Sequence, residues 1–464
     1  MKIDCIVAEI GSTTTVVNAF DGIHSNRPRF LGQGMASTSV TEGDVTIGLL
    51  QAIDALKQTL NSKELEISQT FATSSAAGGL RMSVHGLVYD MTAKAAKEAA
   101  LGAGANVHMV TAGKLTTYDL EKIIALKPNI IMIAGGVDFG ERETALFNAS
   151  QIASLKLRIP VIYAGNIVNH EEVKKIFQVN QLQEYLHITE NVYPKIDVLN
   201  VEPSRKIIQQ VFETHIIHAP GMEKIKQMVD GNIIPTPGAV MNSAILLESM
   251  IGDLVVIDVG GATTDVHSVT SGSVEVSKIL INPEPNAKRT VEGDLGVYIN
   301  RQNIIDLIGV KEIMKQLSIS KEELYLLLED YKPIPNKNQV SLVECLTKAA
   351  VVEGVIRHAG KYMSIYATMG KTKVAEGKDL TSVKYVVGTG GALTRLPNRE
   401  EILKELLHNQ DGLRLVPPPH ANILIDQDYI MASLGVLLLQ YPNQVKQLLI
   451  QSLKLEGELC IQES

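Results

Sequence analysis

The 464-residue sequence predicts an α/β protein in which a unit of about 250 residues is used twice. Three observations lead there. Short apolar runs bounded by Gly, Pro and Asn alternate with helical stretches, the pattern of parallel sheets covered on both faces. A strand ending in a carboxylate and a glycine turn occurs twice, in step with two further matches. With 7 Phe, 13 Tyr and no Trp, the core must be built from Ile, Leu, Val and Ala.

Ile6-Val7-Ala8-Glu9-Ile10-Gly11-Ser12-Thr13-Thr14 and Val255-Val256-Ile257-Asp258-Val259-Gly260-Gly261-Ala262-Thr263-Thr264-Asp265 are each an apolar strand, a carboxylate, one apolar residue and a glycine turn reaching threonine. Glu9 and Asp258 lie 249 positions apart. Glu42-Gly43-Asp44-Val45 matches Glu292-Gly293-Asp294-Leu295 at an offset of 250. Ile131-Met132-Ile133-Ala134-Gly135-Gly136 matches Val386-Val387-Gly388-Thr389-Gly390-Gly391 at 255. Each match alone is weak, but three in one order at a near-constant offset indicate duplication.

Helices are expected over 47–60, 93–101, 342–356 and 399–407, and strands over 130–133 and 161–163, which follow Lys127-Pro128-Asn129 and Pro160. Ile233-Ile234-Pro235-Thr236-Pro237-Gly238 reads as the joint between halves, since Pro235 and Pro237 prevent a continuous helix. The expected domains are therefore 1–234, carrying an inserted α/β segment, and 235–464. The helix after the joint, 239–250, is apolar and small enough for close packing at an interface.

The balance of 43 Lys+Arg against 51 Asp+Glu gives a formal charge of −8. An acidic chain poor in aromatic platforms is a poor candidate for nucleic-acid phosphates or bases. Cys5, Cys345 and Cys460 are scattered and odd in number, which fits a reducing cytoplasm and excludes a disulfide scaffold or zinc ribbon. Asp4 and Glu9 come too early for a signal peptide, and the longest apolar stretch, 429–441, is too short to span a bilayer. A cytoplasmic protein with no membrane partner is expected.

The chemistry lies in the two repeated loops. Glycine permits the sharp turn, and backbone N–H groups with threonine hydroxyls can cradle phosphate oxygens. The carboxylate at the strand end can hold Mg²⁺, which favours one or two carboxylates with waters and phosphate oxygens. Two such loops facing each other would grip a triphosphate. The Walker A lysine sequence is absent, which argues against an ordinary P-loop ATPase. Gly388-Thr389-Gly390-Gly391 follows a strand and would let a base and ribose approach the backbone. Taken singly, Gly11 to Thr14 reads more readily as a structural turn and Asp258 to Asp265 reads equally well either way; the repeated carboxylate, glycine and threonines favour nucleotide binding. Asp265 is open to three roles, orienting a threonine, capping a helix or approaching a metal, with capping the simplest. Glu42, Asp44, Glu292 and Asp294 read as helix-start residues.

The order of these loops resembles the actin/Hsp70/sugar-kinase ATPase superfamily, whose two RNase H-like domains close over ATP in a cleft between two halves. Together with Ala72-Thr73-Ser74-Ser75-Ala76-Ala77-Gly78-Gly79-Leu80, Ile133-Ala134-Gly135-Gly136-Val137-Asp138, Ile162-Tyr163-Ala164-Gly165-Asn166, Asp265-Val266-His267 and Gly388-Thr389-Gly390-Gly391-Ala392-Leu393, they resemble the glutamate mutase accessory family called MutL or GlmL, unrelated to mismatch repair. The resemblance runs over essentially the whole chain.

It implies an ATP- and Mg²⁺-dependent ATPase acting as a reactivating chaperone, which releases damaged cobalamin from an adenosylcobalamin-dependent mutase. A second copy of the chain is a further candidate partner. Carried over by position, the first phosphate loop is Gly11, Ser12, Thr13 and Thr14. The second contains Gly260, Gly261, Ala262, Thr263 and Thr264, and the adenosine loop is Gly388, Thr389, Gly390 and Gly391. Glu9 and Asp258 are the catalytic carboxylates and metal ligands. Two departures stand out: Glu9 replaces the usual Asp, and Val16 stands where a lysine is common. Both point to slow hydrolysis or to nucleotide used as a switch.

Other features weigh less. His215-Ile216-Ile217-His218 has no companion acid or Cys ligand, Cys5 reads as core, and Pro417-Pro418-Pro419-His420 as a rigid connection before the last helix. A small-molecule kinase or hydantoinase-like hydrolase would use the same architecture but needs a substrate-facing base or metal cluster, which the sequence does not display. A decayed, non-catalytic scaffold would fail to bind ATP. The cobalamin pattern Asp-x-His-x-x-Gly is absent, so the coenzyme is expected to stay with the partner.

Overall fold

Residues 2–10 alternate apolar side chains on both faces and end at Gly11, so they form a buried strand, β1 (Lys2–Ile10), that reverses at once into β2 (Thr14–Asp21) and then β3 (Arg29–Ser37). The computed structural model describes residues 1–25, 27–39, 44–75, 80–216, 222–231, 233–367, 370–408 and 411–455. The chain forms two compact units. The first comprises Met1–Ala76, Lys224–Ile281 and Arg289–Ser464, the second Ala77–Glu223 with Asn282–Lys288.

In the first unit the helix Val45–Thr59 follows β3, its amino end capped by Asp44, which accepts the Thr46 N–H at 2.9 Å. β4 (Glu66–Ser74) then runs parallel to β1. The chain passes through the second unit as β5 (Arg81–Gly86), β6 (Asn106–Ala112), β7 (Ile130–Ile133), β8 (Val161–Tyr163) and β9 (Leu186–Ile188), ordered β6-β5-β7-β8-β9 and parallel throughout. Back in the first unit, β10 (Ile233–Pro235) pairs with β4 and completes the sheet β10-β4-β1-β2-β3. A second sheet is built from β11 (Leu254–Val259), β12 (Thr264–Val269), β13 (Ala287–Glu292), β16 (Tyr385–Thr389) and β17 (Asn422–Ile425), in the order β13-β12-β11-β16-β17. β14 (Lys361–Ala367) and β15 (Gly370–Glu376) form a separate hairpin.

The two sheets of the first unit have the same order. Each begins with an antiparallel hairpin whose first strand is flanked on its other side by two parallel strands. This is the expected duplicated RNase H-like unit, visible as topology. Two expectations need correction. These sheets are mixed, because the glycine turns after Ile10 and Val259 send the chain straight back; only the second unit's sheet is wholly parallel. The third sequence match also pairs the wrong strands. The positional counterpart of β16 is β4, whereas β7, with Ile131 to Ile133, belongs to the second unit's sheet. A parallel strand ending in glycines is a general solution to a sharp exit turn, so the likeness reflected local geometry.

The expected helices appear as Val45–Thr59, Lys94–Gly102, Val340–His358 and Arg399–His408, and strands β7 and β8 as expected. Val340–His358 buries Leu342, Leu346, Ala350 and Val351 against Val255, Ile257 and Val386. Each buried Leu, Ile or Val among them contributes about 1.5–3 kcal/mol. At the joint, Pro235 ends β10 and Pro237 lies in the first turn of the helix Thr236–Ile251, where its missing N–H costs nothing. That helix does pack closely. A Cβ on Gly435, in the helix Met431–Leu437, would lie 1.9 Å from the Ala239 carbonyl oxygen, and the Ser243 hydroxyl donates to the Met431 carbonyl at 2.7 Å. Only glycine admits that approach.

Smaller readings also resolve. Cys5 is core, and burial pushes its thiol up to about 12. Pro417-Pro418-Pro419 precedes β17, the last strand, not the last helix. Glu292 ends β13 and, with Asp294, accepts from Arg357, so neither starts a helix. Glu42, Gly43, His218, Cys460 and residues 76–79 lie outside the described residues. Among the described residues, no helix is long and apolar enough to cross a membrane.

Candidate functional site

The two repeated loops share one backbone device. Gly11 N–H donates to the Thr14 carbonyl at 2.9 Å, and Gly260 N–H donates to the Thr263 carbonyl at 2.9 Å. Each closes a two-residue hairpin loop, Ser12-Thr13 in one and Gly261-Ala262 in the other. Surrounding groups fix these loops by their carbonyls. Thr38 N–H donates to Thr13 O; Tyr298 and Ile299 N–H both donate to Gly261 O; the Asn300 amide donates to Ala262 O at 2.7 Å. The N–H groups of Ser12, Thr13, Gly261 and Ala262 have no protein acceptor among the described residues. Turns with three of their four loop carbonyls engaged and their donors unspent suit an anion.

The loops meet each other. A Cβ on Gly261 would sit 2.9 Å from Thr13 Oγ1. The hydroxyls divide their work: Ser12 Oγ donates to Ser75 O at 3.2 Å, Thr264 Oγ1 to Leu295 O at 2.7 Å, and Thr263 Oγ1 to Asp265 Oδ2 at 3.1 Å. Thr14 opens β2. Asp265 thus orients a threonine rather than capping a helix. It is itself held by a buried ion pair with Arg289, at 2.5 and 2.8 Å. A pair of this kind is costly to break from one side, because the other charge would be left buried.

Behind the loops stand the two carboxylates. Glu9 is buried, and its Oε1 accepts from Asn18 Nδ2 at 3.1 Å, Ser433 N–H at 2.9 Å and Ser433 Oγ at 2.5 Å. Burial raises it to about 8, with Asp426 and Asp258 adding to the rise against the Ser433 hydrogen bonds. Val16, the departure noted in the sequence, is buried directly across the hairpin from Glu9, where a lysine would have supplied an opposing charge. Asp258 is raised to about 7 by burial, then by Asp265 and Asp426, with Arg289 acting the other way. Both acids thus titrate well above the ordinary carboxylate range. Two carboxylates beside unspent N–H donors fit Mg²⁺ with phosphate oxygens. Among the described residues no group of three or more His, Cys, Asp or Glu forms an all-protein metal cage.

Gly388 to Gly391 close this side. A Cβ on Gly388 would press on Leu403, Ile425 and Leu393, so this glycine serves packing. Gly390 has φ +84°, and its Cβ would lie 2.3 Å from Asp258 Oδ1. Gly391 faces open space. Thr389 Oγ1 donates to Asp426 at 2.9 Å.

Asp426, Tyr429, Ser433 and Asn18 belong to the same cluster, and the sequence reading missed them. Asp426 also accepts from Ile430 and Met431 N–H and from Ser452 Oγ. Tyr429 is held far above its usual range by burial first and then by Glu9 and Asp258. An acid at the end of a strand before small residues (Asp426, Ala432, Ser433, Gly435) is the signal the sequence offers for them.

The chain's likeness to known proteins follows this geometry. Residues 5–453 match the family described as MutL protein. Protein MutL of Clostridium tetanomorphum is 36% identical over 456 residues, covering 95% of this chain and 96% of that protein. Among solved structures, nucleotide-free acetone carboxylase aligns with a TM-score of 0.39 at 11% identity over 94% of this chain and 70% of its own. A nucleotide-free diol dehydratase-reactivating factor aligns with a TM-score of 0.37 at 9% identity over 95% and 100%. A match from Cys5 to Leu453, with over a third of residues shared with a relative of the same extent, places the chain in the MutL family.

Proposed function

We propose that this protein is an ATP-dependent reactivating factor that frees an adenosylcobalamin-dependent mutase, glutamate mutase or a related aminomutase, of damaged cobalamin. The observation that carries the nucleotide part is the meeting of the two hairpin loops, with Thr13 against Gly261 and Glu9 and Asp258 behind them. Family membership supports the mutase part.

The residues divide the work as follows. The N–H groups of Ser12, Thr13, Gly261 and Ala262 bind phosphate oxygens, and the open backbone at Gly391 admits the nucleoside. Asp265, locked by Arg289, orients Thr263. Glu9 and Asp258 would hold Mg²⁺, which would neutralise charge on the transferring phosphate. Glu9 keeps a proton on its carboxyl at neutral pH until a cation replaces it. Buried Ser433 holds that carboxyl in place through its N–H and its hydroxyl. Nucleotide state then biases affinity for the mutase, and a tenfold change needs only about 1.4 kcal/mol.

The deciding experiment is ATP hydrolysis with and without a mutase blocked by cyanocobalamin, followed by mutase activity on adding fresh adenosylcobalamin. Recovery that requires hydrolysable ATP is expected. Turnover stimulated by a small alcohol and indifferent to any mutase would replace this reading with a kinase.

A further inference from the structure

We propose that the carboxyl edge of the second unit's sheet is the surface that docks the partner, a protein face with an apolar centre rimmed by lysine and arginine. Because β5 to β9 are all parallel, the loops that follow them gather at one edge. Four of those loops expose large apolar side chains: Val88 and Tyr89 after β5, Phe139 after β7, Ile167 after β8, and Ile196 after β9. The opposite edge offers only scattered ones, such as Val179.

The display is rigid. Asp138 accepts from Ile167 N–H and Asn191 Nδ2, both at 3.0 Å, and its own N–H donates to Pro194 O. Buried Asn166 accepts from Phe139 and Val168 N–H at 3.1 Å and donates to Gly140 O and Glu141 O. The loops after β7, β8 and β9 are thereby tied together. Phe139 is held at φ +63° and is 84% exposed, a left-handed conformation costly for a bulky residue. A fixed, exposed aromatic on a braced loop is the kind of anchor that dominates interfaces, because little ordering remains to be done on binding.

Charge selects the occupant. Over 134–143, 164–173 and 189–202 the exposed cations are Arg142 and Lys195, against Glu141, Glu143, Glu171, Glu172, Glu190, Asp197 and Glu202. Arg142 is engaged with Glu172 at 3.6 Å, Glu171 with Lys174 at 2.7 Å and Glu202 with Arg205, which leaves Glu141, Glu143, Glu190 and Asp197 without an ion-pair partner among the described residues. The acidic rim repels phosphate backbones and anionic lipid, and it repels a second copy presenting the same face. A basic-rimmed protein surface remains; on the proposed function, which this inference rests on, it belongs to the mutase.

The test measures binding of the full chain with Mg-ATP to the cyanocobalamin-blocked mutase by surface plasmon resonance. Phe139→Asn keeps a residue that tolerates left-handed backbone while removing the anchor. Combined with Ile167→Ser it should weaken binding at least about tenfold. Val179→Ser, at a site 83% exposed on the other edge, is expected to bind as wild type. Basal ATP turnover should be unchanged in both, and association should slow with added salt. Undiminished binding by the Phe139/Ile167 variant overturns the surface while leaving the reactivase reading intact. Failure of the wild type to bind any mutase overturns both. A wild-type dimer dispersed by Phe139→Asn in sedimentation gives the face to a second copy and overturns the assignment.

Discussion

Glu9 and Asp258 occupy the same place in two copies of one hairpin, and the frames match down to the Gly N–H donating to the carbonyl three residues on. Their surroundings differ. Glu9 is tied by Asn18 and Ser433, with Val16 across the hairpin. Asp258 has Gly390 pressed against its carboxylate and the Asp265–Arg289 pair close by. After duplication the turn that frees N–H donors was kept in both copies, while the acids were given separate settings. The first is a proton held by burial against donors that favour its loss, the second a charge moderated by a nearby arginine.

The largest expected effect tests that division at Asp258. Asp258→Ala should lower Mg-ATP turnover about 100-fold or more, read by phosphate release, with the circular dichroism spectrum unchanged; normal turnover would remove Asp258 from the site. Gly261→Val places a side chain against Thr13 Oγ1 and should weaken nucleotide binding about tenfold by calorimetry, because the loops must part. Unaltered affinity would mean the loops do not act together.

The pH dependence separates the acids further. Glu9 and Asp258 keep their protons in the folded chain up to about 8 and 7, whereas in the unfolded chain they lose them near 4.5 and 3.8. Between those limits the unfolded state binds fewer protons, so the contribution of these two groups to stability is fully present below the unfolded values and is lost as pH rises. The slope is about 1.4 kcal/mol per pH unit for each group. Glu9→Gln should flatten its share of the slope in urea melts at pH 5 to 8, and an unchanged slope would refute the buried proton. The smallest effect is Ser433→Ala. It removes a hydrogen bond that favours ionised Glu9 and should raise the titration of that carboxyl by about one unit, followed by its infrared band.

Much of this frame was legible in the sequence because it is local. A carboxylate, a glycine and threonines in a row dictate a strand and a tight turn, and their register survives in both copies because both turns need the same two-residue loop. The cluster around Glu9 was not legible in that way. Asn18 is nine residues away, while Ser433 and Tyr429 come from more than 400 residues downstream, brought in by β17 and the helix after it. Nothing periodic marks a serine that donates to a distant acid. The misassigned third match had a related cause: β7 and β16 end in similar glycines for local reasons, and only the sheet order distinguishes them.

The helix Met431–Leu437 carries Ser433, which hydrogen-bonds Glu9, and two residues on Gly435, which rests on the Ala239 carbonyl. Position and protonation are therefore one variable there. If that helix slides by even an ångström over its neighbour, the acidity of Glu9 changes. The movement would register in weakly buffered solution as protons taken up or released, observable with an indicator dye before any phosphate is cleaved.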